Sequence, residues 1–181
     1  MRKLLGVASI SLLLTACTAQ TATKNIVDYP DPITIAFGGD THGVQQISNY
    51  LENQGNPFAG VSDVLQKADI GVVNLETTIT SATEHQTKQY VFNSNTLLLK
   101  AAQQSGIDIL NMANNHSGDY LRSGILETIK LADENGLQVI GAGKNSVEAW
   151  DAKIVNVRGT KIAFLGIAVI NGGLGTLAGA N

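Results

Sequence analysis

Three short polar clusters in this sequence follow apolar runs that are typical of β-strands. They are Gly39-Asp40-Thr41-His42, Asn74-Leu75-Glu76 and Asn114-Asn115-His116. Together they contain two carboxylates, two imidazoles and several side-chain amides. Carboxylate oxygen, imidazole nitrogen and amide carbonyl oxygen are all ligands of divalent metal ions. The residue types therefore predict a metal site if the fold brings the three clusters together.

Each cluster taken singly also has an ordinary structural explanation. Asp40 could cap the helix that follows it, and His42 could be a surface histidine. Glu76 could be a solvated loop carboxylate, and Asn114-Asn115 could be turn residues, because asparagine tolerates left-handed backbone angles. The conjunction favours a site, since all three clusters come at the same end of a predicted strand.

The apolar patterning predicts the elements that position these clusters. Predicted strands cover 33–37, 70–73, 107–112 and 137–140, and predicted helices cover 44–54, 61–68, 95–104 and 121–135. The remaining segments predict a surface loop over 77–88, a small edge strand over 90–92 and a β-hairpin over 153–168. Strands that alternate with helices predict an α/β fold with a mainly parallel sheet and helices on both faces. In such sheets ligands bind beyond the carboxyl ends of the strands, where the three clusters would meet.

Composition limits the classes of function. The chain has 181 residues, of which 44% are hydrophobic and 15% charged, which fits one folded domain and argues against disorder. Its net charge is −3 and no basic cluster follows residue 3, so we expect no nucleic-acid partner. A single cysteine excludes an internal disulfide.

The N-terminal segment predicts export and attachment to a membrane. Met1-Arg2-Lys3 precedes an apolar run over 4–14 that is too short to span a bilayer and is typical of a secretory signal. The sequence Leu14-Thr15-Ala16-Cys17 resembles the lipobox of bacterial lipoproteins. That resemblance implies a signal peptide over 1–16 and a Cys17 that carries diacylglyceryl and palmitate groups, followed by a flexible stalk over 17–32. The alternative is an ordinary signal peptide with an incidental cysteine.

The polar clusters also carry a family resemblance. Phe37-Gly38-Gly39-Asp40, Asn74-Leu75-Glu76-Thr77 and Ala113-Asn114-Asn115-His116, in this order, resemble the bacterial capsule-synthesis CapA family, which is associated with poly-gamma-glutamate biosynthesis. The resemblance covers 33–168, with further support at 90–93, 139–144 and 161–166. That family is similar to the calcineurin-like metallophosphoesterases. The implied fold is a metallo-dependent-phosphatase-like layered sandwich with mainly parallel strands and flanking helices.

The same resemblance implies roles for individual residues. Asp40 and His42 would be metal ligands, and Glu76 would stand where those enzymes usually place a bridging aspartate. Asn115 would bind the second metal, and His116 would be a catalytic residue that assists the leaving group or orients the phosphate. The implied cofactor is a pair of divalent ions (Mn, Zn or Fe) that activate water and hold the oxygens of the attacked group.

The predicted ligand set is only about half of a two-metal site. The chain has three histidines and none after His116, and the glycine-rich tail over 169–181 offers no acidic, histidine or cysteine ligand. We therefore interpret 33–168 as the N-terminal part of a CapA-like domain, and the tail as a truncation point. A fragment, a truncated gene product and a decayed paralogue all fit this interpretation.

Three functions follow as hypotheses. The first is a membrane-anchored envelope lipoprotein, facing the periplasm or the exterior, that acts in the synthesis or export of an anionic surface polymer. Its partners would be the membrane, through the lipid anchor, and proteins of capsule-polymer synthesis or export. The second is a divalent-metal-dependent phosphoesterase of the envelope, and the third is a non-catalytic binding lipoprotein.

Overall fold

The computed structural model describes residues 31–169. The signal segment, Cys17 and nearly all of the tail lie outside these described residues. The elements in chain order are β1 (Ile35–Thr41), α1 (Gln46–Glu52), α2 (Ser62–Lys67), β2 (Ile70–Leu75), α3 (Leu97–Gln104), β3 (Ile109–Asn111), α4 (Leu121–Glu134), β4 (Gln138–Ile140), α5 (Ser146–Ala149), β5 (Lys153–Val157) and β6 (Thr160–Phe164). All of them belong to one compact unit that begins at Ile33. None of the helices within 31–169 is long and apolar enough to cross a lipid bilayer.

The first four strands form one parallel sheet in the order β1-β2-β3-β4. Helices connect consecutive strands, as the alternating pattern predicts, so the predicted α/β class is confirmed. Strands β5 and β6 form a separate antiparallel hairpin whose turn has positive φ at Arg158 (47°) and Gly159 (85°). Two successive positive φ angles match the twist of a two-residue hairpin connection, and glycine adopts such an angle without strain.

The prediction of helices on both faces of the sheet was wrong. Every buried hydrophobic side chain of α1 to α4 packs in one core, on the face that β2, β3 and β4 cover with Val73, Leu110 and Val139. The opposite face has its own core, in which Val72 and Ile109 of the sheet pack with Phe164 of the hairpin. Right-handed crossovers that all step in the same direction along a sheet place their helices on the same face, which explains the difference.

Strand β1 contains an irregularity next to the first polar cluster. Phe37 pairs with Val72 and Asp40 pairs with Asn74, so β1 has one more residue than β2 over this stretch. The two residues in between are Gly38 and Gly39, and a Cβ at Gly38 would lie 2.9 Å from a methyl carbon of Val73. The predicted strand ends before Gly38, but the strand continues past the bulge and carries Asp40 within it. Bulges of this kind redirect side chains, and they are frequent near functional sites.

The surface loop predicted over 77–88 is confirmed for 81–88 but wrong at its start, and the edge strand predicted over 90–92 does not form. Residues 77–88 were expected on the surface, but Thr77, Thr78 and Ile79 are fully buried. Burial is possible because their polar groups are paired: the Thr78 hydroxyl donates to Phe92 O (2.7 Å), and Ile79 N donates to the Thr128 hydroxyl (2.8 Å). Residues 90–92 form no strand, and the segment instead makes a single bridge between Thr78 and Asn93.

Candidate functional site

The pairing of β1 with β2 brings the first two polar clusters together. Asp40 lies opposite Asn74 in the sheet, and the ladder continues beyond the strand end, where Glu76 N donates to Thr41 O (2.9 Å). Glu76 therefore lies beside Asp40, although 36 positions separate them in the chain. The third cluster joins from β3, because Asn111 pairs with Asn74 in the next ladder. The predicted meeting of the clusters at the carboxyl edge of the sheet is confirmed.

A ladder of amides holds the Asp40 carboxylate. Asn74 Nδ2 donates to Asp40 Oδ1 (2.7 Å), while Asn74 Oδ1 accepts from the Nδ2 atoms of Asn111 and Asn114 (3.0 Å each). Because two amide donors occupy its oxygen, Asn74 must present its nitrogen to Asp40. In the predicted site Asn74 is only one of several amides and has no role of its own.

The two carboxylates repel one another. Partial burial and the neighbouring Asp40 carboxylate raise the pKa of Glu76, while His116 and His42 oppose the rise. Glu76 Oε1 lies 3.9 Å from His116 Nε2. Two negative groups lie side by side here and are partly shielded from water. A cation would stabilise this pair.

His42 carries an unpaired nitrogen at this site. Its Nδ1 is buried and has no hydrogen-bond partner among the described residues. The ring packs against Phe92, with 5.2 Å between ring centroids, and Phe92 in turn stacks on His116 at 4.1 Å and 12°. A buried imidazole nitrogen without a partner is costly unless a proton donor or a metal ion satisfies it.

His116 is buried and held on several sides. Its backbone N–H donates to Asn114 Oδ1 (2.9 Å), its Nδ1 lies 2.8 Å from Asp119 Oδ2, and Phe92 covers one face of the ring. These contacts leave Nε2 facing Glu76. His116, the predicted catalytic residue, thus lies in the site, and its Nε2 faces Glu76.

The two neighbouring asparagines differ in surroundings. The Asn114 side chain makes hydrogen bonds within the protein, to Asn74 and Leu75 O and from the backbone of His116 and Ser117. Asn115, the predicted ligand of a second metal, is exposed, and its backbone carbonyl accepts from Lys88 Nζ (2.8 Å). Asn114 therefore has a structural role, and the ligand role of Asn115 stays a prediction.

The donor chemistry of the site fits a divalent cation. Asp40 and Glu76 supply negative oxygen, and His42 supplies the unpaired nitrogen. Within residues 31–169, however, no three histidine, cysteine or acidic side chains are already grouped as a metal site requires.

A half-open cavity of about 570 Å³ lies beside Asp40. Asp40, Thr41 and His42 form one part of its lining, and the remaining walls are largely apolar, with Phe58 and Leu65 among them. The site thus adjoins a cleft rather than a flat surface.

Three residues of the site were missed in the sequence analysis. Asp119 follows His116 by three positions, a spacing that places both in one turn, and this was the available signal. Lys88 and Phe92 come from the segment predicted as loop and edge strand, and no local pattern marks them. Their positions depend on the way in which that segment packs over the turn that follows β3.

The chain is similar to several longer proteins. It is 38% identical over 80 residues to the Capsule biosynthesis protein CapA of Bacillus anthracis, covering 43% of this chain and 20% of the relative. It is 27% identical over 156 residues to the PGA biosynthesis protein CapA of Bacillus subtilis, covering 83% of this chain and 41% of the relative. An uncharacterized protein of Sinorhizobium fredii is 29% identical over 160 residues, which is 32% of its length. The chain thus spans less than half the length of these curated relatives.

A family model settles the membership. The model described as bacterial capsule synthesis protein PGA_cap matches residues 34–176, which is most of the chain. The match includes all three polar clusters, the sheet and the hairpin. The predicted family is therefore confirmed, and this chain belongs to the PGA_cap family of bacterial capsule synthesis proteins.

Proposed function

We propose that this protein acts at the cell envelope in the synthesis or export of an anionic surface polymer. Family membership is the observation that carries the proposal. The relatives with informative names are a capsule and a PGA biosynthesis protein, and the chain shares with the family the segment that holds the polar clusters. The partners would be proteins that make or export the polymer.

The charge of the site supports a role for a cation in this function. Asp40 and Glu76 alone would repel an anionic polymer. We propose that Asp40, His42 and Glu76 bind a divalent ion. Asn115, which directly precedes His116 in the chain, would be a further ligand. When bound, the ion would attract and polarise an oxyanion of the polymer or its precursor. His116 would hold or accept a proton at Nε2, the ring nitrogen that faces Glu76.

The function is tested by polymer production in the organism that encodes this chain. Deletion of the gene should abolish or strongly reduce the surface polymer, and the wild-type gene should restore it. Asp40→Ala and Glu76→Ala should restore little, whereas Asp133→Ala, an exposed acidic position on α4, should restore it fully. Normal polymer in the deletion strain, with no second copy of the gene, would contradict the proposal.

Attachment to the membrane through Cys17 is a separate part of the proposal. A lipid on Cys17 would hold the domain at the surface where the polymer is assembled. The wild-type chain should fractionate with membranes and take up labelled palmitate, and Cys17→Ser should lose both properties. A Cys17→Ser protein that remains a processed, membrane-anchored lipoprotein would exclude this anchor.

A metal-dependent phosphoesterase is the second candidate function. The arrangement that favours it is His116 Nε2 beside a pair of carboxylates and the unpaired Nδ1 of His42. The purified chain should then bind Mn, Zn or Fe and hydrolyse model phosphodiesters. Metal binding without turnover would favour a cation-dependent binding role, and less than about one-tenth equivalent of metal, with no turnover, would leave a non-catalytic binding lipoprotein.

A further inference from the structure

A buried serine links the residues that directly follow two of the proposed ligands. Ser94 is buried, and its Oγ accepts a hydrogen bond from Gly43 N (2.7 Å), the residue after His42. The same Oγ lies 2.9 Å from Thr77 Oγ1, and Thr77 is the residue after Glu76. One hydroxyl group thus connects the backbone next to His42 with the side chain next to Glu76.

The direction of these hydrogen bonds follows from their last acceptor. The carbonyl oxygen of Thr78 can only accept, so the Thr77 hydroxyl donates its proton there (3.0 Å). The Thr77 oxygen then accepts from the Ser94 hydroxyl, and the Ser94 oxygen accepts from Gly43 N. Thr77 and Thr78 are fully buried. Loss of one link would therefore leave a buried polar group without its partner.

The segment that carries Ser94 is itself held on both sides of Asn93. Phe92 O accepts from Thr78 N (3.2 Å) and from Thr78 Oγ1 (2.7 Å), and Ser94 N donates to Thr78 O (2.9 Å). The Phe92 ring also packs against His42, with 5.2 Å between ring centroids. The segment thus supports the His42 ring through Phe92 and the backbone after His42 through Ser94.

The glycine after His42 permits the close approach to Ser94. A Cβ at Gly43 would lie 3.3 Å from Ser94 Cβ and 3.3 Å from Leu51 Cδ1, inside the ordinary carbon–carbon contact distance of about 3.5–4.0 Å. The absence of a side chain at Gly43 and the hydroxyl of Ser94 therefore belong to one arrangement.

We propose that Ser94 is a positioning residue that sets the place of His42 relative to Glu76. It acts through the backbone of Gly43 and the side chain of Thr77, and it is not itself a ligand. The use of His42 and Glu76 as cation ligands rests on the proposed function, whereas the positioning of the His42 turn by Ser94 does not.

The first test needs no metal. The ring signals of His42 are recorded by NMR of the full chain with ¹⁵N-labelled histidine and a chelator, and they are identified by their loss in His42→Gln. Ser94→Ala should shift or split these signals. The control is Ser105→Ala, because Ser105 is also buried and its hydroxyl accepts from Asn56 Nδ2 (2.9 Å) at the end of α3. This control should leave the His42 signals unchanged.

Unchanged His42 signals in a folded Ser94→Ala protein would overturn the proposal. An equal change in Ser105→Ala would also overturn it, because the effect would then be a general one of losing a buried hydroxyl. Neither result depends on metal or polymer, so failure here is distinct from failure of the proposed function.

The second test measures the affinity for Co²⁺ by titration of its visible absorption spectrum. Removal of a hydrogen-bonding group behind the ligands typically lowers metal affinity about 10–100-fold, and we expect a loss in this range for Ser94→Ala. Ser105→Ala should bind Co²⁺ as wild type does, even where its stability is lowered. Wild-type affinity in Ser94→Ala would overturn the proposal, whereas no binding by the wild-type chain would contradict the proposed cation site and leave the decision to the His42 signals.

A pair of variants at Thr77 decides the question if Ser94→Ala does not fold. Thr77→Val keeps the shape but removes the hydroxyl that accepts from Ser94, so Co²⁺ affinity should fall by about 10-fold or more. Thr77→Ser keeps the hydroxyl and should bind with close to wild-type affinity. Equal affinities of these two variants would refute the role of the hydroxyl chain.

Discussion

At the scale of single residues, the site places like charges together and leaves a nitrogen without a partner. Asp40 is held by Asn74, and the backbone of Glu76 is joined to Thr41 on the neighbouring strand, so the two acidic residues lie side by side. His42 adds a buried Nδ1 without a partner among the described residues. Such an arrangement costs stability in the free protein, and binding of a cation would recover that cost.

The carboxylate pair predicts an unusual pH dependence of stability. Because partial burial and Asp40 raise the pKa of Glu76, the folded state holds the Glu76 proton more tightly than the unfolded state does. The contribution of protonated Glu76 to the free energy of unfolding is full below its unfolded-state pKa of about 4.3. It is lost as the pH rises through the higher pKa of Glu76 in the folded state. Glu76→Gln should therefore melt at a higher temperature than wild type at pH 7 with a chelator present, and the two should converge near pH 4.

The control for this prediction is Glu84→Gln, which removes an exposed glutamate from the loop. Thermal unfolding followed by circular dichroism at several pH values measures the difference. Addition of a divalent ion should stabilise wild type and leave Glu76→Gln nearly unchanged. Equal melting temperatures of Glu76→Gln and wild type at pH 7 would contradict a repulsive pair.

At the scale of the elements, two connections that are remote in sequence hold the layers together. One joins the hairpin turn to the start of β2: Arg158 forms an ion pair with Asp69, which also accepts from Thr34 N (2.7 Å). The other joins the 77–79 segment to α4 through the Thr128 hydroxyl. Each of them joins two segments that lie far apart in the chain.

The contact at Asp69 predicts a loss of stability in acid. Hydrogen bonds from Arg158 and Thr34 hold the pKa of Asp69 well below its usual range. A lowered pKa contributes stability that is present above the unfolded value of about 3.9 and is lost as pH falls below it. Asp69→Asn should therefore be less stable than wild type at pH 7 in urea denaturation, and the difference should shrink steadily below about pH 4.

A double-mutant cycle with Arg158→Gln tests whether the ion pair is the source of this effect. The two substitutions should be less destabilising together than the sum of their separate effects. Full additivity at pH 7 would show that Asp69 acts through Thr34 alone.

The Thr128 hydroxyl predicts a clear difference between two conservative substitutions. Thr128→Val removes the acceptor for Ile79 N and leaves a buried N–H without a partner, at a cost of about 1–3 kcal/mol. Thr128→Ser keeps the hydroxyl and loses only a methyl group, so we expect a smaller loss of about 1 kcal/mol. Chemical denaturation of both variants measures the free energies of unfolding. If Thr128→Val were as stable as Thr128→Ser, the hydrogen bond would contribute nothing.

At the scale of the whole molecule, the number of donors limits the number of metal ions. Asp40, His42 and Glu76 are enough for one ion with water as further ligand, but two closed sites need more donors. The three proposed ligands are therefore expected to bind a single ion.

This limit predicts the stoichiometry of metal binding. The metal-free chain titrated with Mn²⁺ or Zn²⁺ in a calorimeter should bind no more than one ion tightly, and Asp40→Ala should abolish that binding. Glu134→Ala, an exposed acidic position at the end of α4, should bind as wild type does. Two tight ions per chain would show that donors outside the predicted set take part.

Much of this protein could be predicted from local sequence patterns alone. The alternation of strands and helices, the parallel sheet and the meeting of Asp40, Glu76 and His116 at its carboxyl edge all follow from periodicity and from the direction of the strands. These features depend on residues close together in the chain, whose spacing determines which face of an element is apolar. The order of the polar clusters in the sequence likewise predicts the family.

Only the tertiary structure decided the features that depend on contacts between remote segments. The single helical face, the bulge that keeps Asp40 opposite Asn74, and the burial of Thr77 to Ile79 each require a partner tens of residues away. Asp119 also depends on remote residues, because its carboxylate pairs with Lys88 and accepts a hydrogen bond from Phe92 N. Local periodicity carries no information on which distant donor will meet a given acceptor, because packing determines that choice.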